Sequence, residues 1–156
     1  MKPQYIIIHH SLTKDGLVVD WGAIRRYHIE TNGWHDIGYN AGIEDVGGQL
    51  VHQVGRPIGT EGAHCKEDWM NSRSIGICVV GNFDVEPPGL ARLYFLRDLC
   101  FAYMANYSIP AQNVIGHRDA GLMAGFDWRL GKYKTCPGRL FPMDSLRSML
   151  SGKTTT

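Results

Sequence analysis

Four residues stand out by chemical type and position. His9 and His10 follow directly on a short apolar run at residues 5–8, His117 follows residues 114–116, and Cys136 sits in Lys134-Thr135-Cys136-Pro137-Gly138. Imidazole nitrogen and thiolate sulfur suit Zn²⁺, and two histidines with one cysteine leave a tetrahedral position open for water or substrate. A metal held that way brings the pKa of its water to about 7 and polarises a carbonyl, which is hydrolytic chemistry. On residue types and spacing alone, a histidine at a strand end is more often a satisfied structural residue. Successive strand residues point to opposite faces, so His9 and His10 cannot both reach one ion. The run before them is apolar throughout and does not say which of the two would.

The elements that must position these residues follow from periodicity. Residues 5–8 are β-branched and continuously apolar, the pattern of a strand buried on both sides. Asp20 can cap a helix running to about Thr31, with Trp21, Ile24 and Tyr27/His28 on one face and Asn32-Gly33 as its stop. Residues 39–43 and 49–54 flank Asp45-Val46-Gly47-Gly48 and read as a hairpin. Residues 55–74 read as a long surface loop, 75–80 as a second buried strand, and 90–107 as the longest helix, with Leu93, Leu96, Cys100, Tyr103 and Tyr107 in a stripe. A short strand at 114–116, a loop at 121–132 and a helix at 143–150 complete the pattern. Strands and helices mix without strict alternation, which predicts a mixed α/β sheet flanked by helices. One domain is expected over residues 1–150, with a polar tail at 151–156.

Composition narrows the function. Lys+Arg 16 against Asp+Glu 15 gives a net charge of +1, without the basic excess that nonspecific nucleic-acid or anionic-membrane binding requires. At 44% hydrophobic and 20% charged residues the chain is no disordered polymer, and its length can bury roughly 68–70% of the unfolded surface. No apolar run approaches the ~20 residues of a membrane span, and the start lacks a signal-peptide pattern. The expectation is a chain made in the cytoplasm, without membrane insertion. Of the four cysteines, Cys78 and Cys100 lie in apolar patterns that bury small hydrophobes. Cys136 stands in a turn.

A set of motifs in fixed order carries a resemblance. Ile6-Ile7-Ile8-His9-His10-Ser11-Leu12-Thr13, Gly33-Trp34-His35-Asp36-Ile37-Gly38-Tyr39-Asn40, Gly62-Ala63-His64, Asn71-Ser72-Arg73-Ser74-Ile75-Gly76-Ile77, Gly116-His117-Arg118-Asp119 and the turn around Cys136 span about residues 4–142. Together they resemble the zinc-dependent N-acetylmuramoyl-L-alanine amidases of the type-2 amidase family, which includes the lysozymes of T-odd phages and shares its domain with peptidoglycan recognition proteins. The resemblance implies a mixed five- or six-stranded sheet with helices on both sides and a zinc-floored groove on one face. It also implies hydrolysis of the amide between N-acetylmuramic acid and L-alanine in peptidoglycan or muropeptides, by a monomer with one Zn²⁺ per chain. Carried over by motif, His9, His117 and Cys136 match the zinc ligands, which leaves His10 on the opposite face. Tyr39 and Lys134 match residues that assist catalysis, while His64 and Asn71 fall where the groove is lined. No Glu stands in a His-Glu-x-x-His pattern, so the resemblance names no general base.

The chain departs from the pattern between His117 and Cys136, where residues 121–133 carry Met123, Phe126, Trp128 and Tyr133 in a longer excursion than in the T-odd phage lysozymes. Two accounts fit: a wall or lid for the substrate, with Trp128 as the stacking residue, or a surface insertion packed on its own aromatics. Three functional classes are open to a chain with these motifs. An endolysin of a phage or prophage, acting on the wall after release from the producing cell, fits best, and a cytosolic amidase that recycles wall fragments is its variant. A noncatalytic peptidoglycan-binding module typically lacks the cysteine, which is present here. Inhibition of an RNA polymerase, a second role of the phage lysozymes, has no motif to support it.

Overall fold

The computed structural model describes residues 1–13 and 20–152, so the far end of the expected polar tail lies outside the described residues. Five strands form one sheet in the order β3-β2-β4-β1-β5, with β1 at Tyr5–His10, β2 at Ala41–Val46, β3 at Gln49–Val54, β4 at Ser74–Val79 and β5 at Val114–Gly116. Only the β2–β3 hairpin is antiparallel; β1 runs parallel to both β4 and β5. The mixed sheet expected from sequence is therefore present. β4 is the central strand, and β1 lies inside the sheet between β4 and the short edge strand β5; that interior position explains its composition, because Ile6, Ile7 and Ile8 are all fully buried. Burying each such side chain contributes about 1.5–3 kcal/mol.

Two unequal layers cover the sheet. On one face, Ile6, Ile8, Ile43, Ile75, Ile77 and Val79 meet Leu93, Leu96 and Cys100 of α3 (Gly89–Tyr107) and Met143, Leu146 and Leu150 of α5 (Met143–Leu150) in one continuous core. Tyr103 is only half-buried and Tyr107 is exposed, so the stripe expected on α3 stops a turn early. On the other face the cores are small. Trp21 and Ile24 of α1 (Trp21–Glu30) pack on Ile37, Cys78 and Val80, and Ile7 packs with Cys65, Met70, Ile115 and Ala120. The cap at Asp20 is made as expected: its carboxylate accepts from the Ala23 amide at 2.6 Å.

Two segments differ from expectation. Residues 55–74 hold a 3-10 turn at Glu67–Trp69 and the short helix α2 at Met70–Arg73, and they bury Cys65, Glu67 and Met70. Residues 121–132 are not wholly a loop, because α4 runs from His117 to Met123 and a 3-10 turn follows at Trp128–Leu130. Short helical turns bury too few residues to leave a periodic signal.

Candidate metal centre and groove

The pleat of β1 separates its two histidines. His10 shares a face with Ile6 and Ile8, and its Nδ1 accepts from the Phe83 amide at 3.1 Å. His9 shares the opposite face with Ile7 and is 1% exposed. On that face the parallel register puts Gly76 beside Ile7 and Cys78 beside His9. Gly76 is required by space: a Cβ there would lie 2.5 Å from the ring of His64. The cleared space seats His64 so that its Nδ1 is 3.0 Å from His9 Nε2.

The other side of the group is carried by shorter elements. β5 ends at Gly116, and His117 opens α4, whose first turn is tied by the Asp119 carboxylate to the Gly116 amide at 2.8 Å. Cys136 lies in a turn held from both ends. Its carbonyl accepts from the Arg118 amide at 2.7 Å, while Asp84 takes the Thr135 hydroxyl and the Arg139 amide, both at 2.8 Å.

These elements bring His9, His117 and Cys136 together, with one ligand atom from each within 4.8 Å of the others. Cys136 Sγ is 3.6 Å from His9 Nδ1. Both histidines have the outer nitrogen engaged: His9 Nε2 by His64, and His117 Nε2 by Glu67 Oε2 at 3.1 Å and the Tyr133 hydroxyl at 3.2 Å. Each therefore has Nδ1 left for the shared space. Burial, reinforced by neighbouring histidines and Lys134, holds His9 well below its usual pKa. Burial likewise lowers His117, and takes His64 down to about 3. All three are neutral at pH 7, the form that ligates metals. The Cys136 thiol is pushed up to about 12 by burial, although the His10 amide and Lys134 favour its thiolate. A cation is what would ionise it. The donor set is that of a His₂Cys zinc site with a fourth position open.

Above this group lies a groove of about 780 Å³, lined among others by Tyr39, His64, Asn71 and Lys134. The Tyr39 ring is 5.2 Å from that of His9. Burial, and contact with Cys78 and Cys136, raise its phenol well above 10. Lys134 is exposed at the rim. Asn71 uses its Oδ1 to accept the amides of His64 and Cys65, both at 2.8 Å, so it shapes the wall. Trp128 is not brought to the groove. Its ring lies 4.5 Å from the Arg118 guanidinium, against a separate cleft. His28, expected only on a helix face, lines the groove and accepts the Gly38 amide on Nδ1 at 3.0 Å. Glu67 has no motif to announce it. Burial alone would raise its carboxyl, but hydrogen bonds from Tyr133, its own backbone and His117 outweigh that and bring it to about 2.

A five-stranded mixed sheet with helices on both faces and a His/His/Cys group at the floor of a groove defines the amidase and peptidoglycan-recognition class. The family profile described as N-acetylmuramoyl-L-alanine amidase matches residues 1–139, and the chain belongs to that family. Peptidoglycan-recognition protein LB of Drosophila melanogaster is 31% identical over 121 residues, covering 73% of this chain and 50% of its own length. The chain thus spans about half of that relative. Among solved structures, the N-acetylmuramoyl-L-alanine amidase LysC of Clostridium intestinale superposes with a TM-score of 0.76 at 26% identity, covering 96% of this chain and 85% of LysC. A Drosophila PGRP-LB mutant in complex with tracheal cytotoxin gives 0.69 at 26% identity, over 90% of this chain and 79% of its own.

Proposed function

We propose that the chain is a zinc-dependent peptidoglycan hydrolase that cleaves the amide between N-acetylmuramic acid and L-alanine, with one zinc per chain held by His9, His117 and Cys136. The observation that carries this reading is the convergence of those three residues on the groove floor, each histidine with its outer nitrogen already engaged. Family membership and the likeness to LysC support the same bond and reaction. The PGRP-LB complex supports a muropeptide as the ligand. A bound zinc supplies Lewis acidity, polarising the amide carbonyl and making water a stronger acid. Tyr39, kept neutral by burial, hydrogen-bonds through its hydroxyl to the oxyanion that forms on the carbonyl, and then passes its proton to the leaving amine while recovering the one given up by the attacking water. The Lys134 ammonium at the rim adds positive potential toward the same oxyanion.

The biological setting proposed is lysis: a monomeric endolysin of a phage or prophage, made in the cytoplasm and acting on the wall after release. Mass spectrometry of intact sacculi and purified muropeptides, with metal analysis of the same preparation, tests all of this. Release of stem peptides with a free L-alanine amine from both substrates is expected. Cleavage within the glycan, or none at one zinc per chain, overturns the amidase reading. Cleavage of soluble muropeptides alone replaces the endolysin by a fragment-recycling enzyme.

A further inference from the structure

Three segments far apart in sequence meet at Nε2 of His117. Glu67 comes from the 3-10 turn after His64-Cys65 and is 8% exposed, an expensive place for a carboxylate without donors. It accepts hydrogen bonds from the His117 ring at 3.1 Å and the Cys65 thiol at 3.4 Å, and the Tyr133 hydroxyl stands beside it, 3.2 Å from the same His117 Nε2. A carboxylate oxygen is an acceptor, so the ring nitrogen and the thiol that face Glu67 Oε2 are the donors. That places the imidazole proton of His117 on Nε2 and leaves Nδ1 as the ligating nitrogen.

Tyr133 is where residues 121–133 end, and it is built in. Its ring stacks on Phe126 at 5.6 Å and 14°. It also lies so close to Gly121 that any Cβ there would overlap it. The excursion between His117 and Cys136 turns an aromatic inward to the site, while its Trp128 goes elsewhere. Charge points the same way. Zinc with a single thiolate ligand leaves one excess positive charge in a buried site, and Glu67 supplies the balancing negative charge without occupying the open position.

We infer that Glu67, held by Cys65 and flanked by Tyr133 at the same ring nitrogen, is the positioning residue for the ligand His117, and that residues 121–133 serve to deliver Tyr133 to that nitrogen. This rests on the zinc reading above. Glu67 orients the ring, fixes its tautomer and makes Nδ1 a stronger donor; it does not touch substrate. Partners of this kind typically change metal affinity 10–100-fold.

The test is zinc affinity by chelator competition on the purified chain, with Co²⁺ spectra and thermal midpoints of the metal-free forms alongside. Glu67→Gln should weaken zinc about 10–100-fold and shift the Co²⁺ bands, with a smaller change for Tyr133→Phe. Glu86→Gln, an exposed carboxylate elsewhere, should match the unmodified protein. If Glu67→Gln fails to fold, Tyr133→Phe, which removes one hydroxyl, decides alone. Zinc affinity and Co²⁺ bands unchanged in the folded variants, with one zinc in the unmodified chain, overturn this inference and leave the metal site standing. An unmodified chain that takes up no zinc overturns the metal site itself.

Discussion

The two histidines that face each other across the groove floor are held by different means. His9 is carried by the interior strand β1, hydrogen-bonded to β4, and backed by a second neutral imidazole in a space cleared by Gly76. His117 stands at the junction of a three-residue strand and a seven-residue helix, and is backed by a carboxylate and a phenol drawn from two connecting segments. Backbone ladders position the first, and side-chain hydrogen bonds position the second. A sheet can fix a ligand with no charge behind it. A loop-borne ligand needs an explicit partner.

The largest expected effect breaks the site from the strand side. His9→Ala should lose zinc and activity together, whereas His10→Ala, which removes an acceptor from the Phe83 amide on the far face, should keep zinc and lose stability by about 1–3 kcal/mol. A zinc-free His10→Ala beside a zinc-loaded His9→Ala would reverse the assignment. Next, Tyr39→Phe should lower kcat by about 10²–10³-fold with zinc content intact, since it removes a donor to the transition state. A change confined to KM would make Tyr39 a binding residue.

Zinc removal sharpens the contrast between the halves. If the proposed zinc is bound, hydrogen exchange on chelation should rise in residues 64–69, which back the two histidines, and in 128–137, which carry Cys136, and stay unchanged in β1, where the ladder protects the amides. Equal deprotection of β1 would mean that the strand is no more rigid than the loops. The smallest effect is in the pH dependence of the metal-free chain. Burial lowers His9, His10, His28, His64 and His117 below 6.5, with His64 at about 3. Below pH 6.5 the unfolded chain therefore binds more protons than the folded one, so stability falls as pH drops from there toward 3. The thermal midpoint of chelated protein should be lower at pH 5 than at pH 7.5. A flat profile would mean that these rings are not kept neutral by the fold.

The strand half was legible in sequence because local pattern decides it. A continuous β-branched run reads as a strand buried inside the sheet, which β1 is, although the centre belongs to β4; Asp20 ahead of Trp21 and Ile24 must start a helix facing the sheet. The loop half was not. Glu67 sits in Cys65-Lys66-Glu67-Asp68-Trp69 with no periodicity, and its importance arises only when His117 and Tyr133 arrive from far along the chain. Tyr133 and Trp128 look alike as aromatics of one excursion. Only the close approach allowed by Gly121, and the guanidinium of Arg118, send one inward and the other away. Motif order identified His9, His117 and Cys136 as a set, but the nitrogen each histidine offers depends on what occupies the other.

With Nε2 taken on both rings, any ion in the centre is reached through Nδ1, the nitrogen nearer the main chain. The lever between metal and backbone is then short, so swings of a side chain translate into small displacements of the ion. The reactive point also lies low, close to the ends of β1 and β5, rather than out at the tips of extended rings. In the proposed hydrolysis the scissile amide therefore has to come down to the ends of β1 and β5, where the strands stop and the groove floor begins.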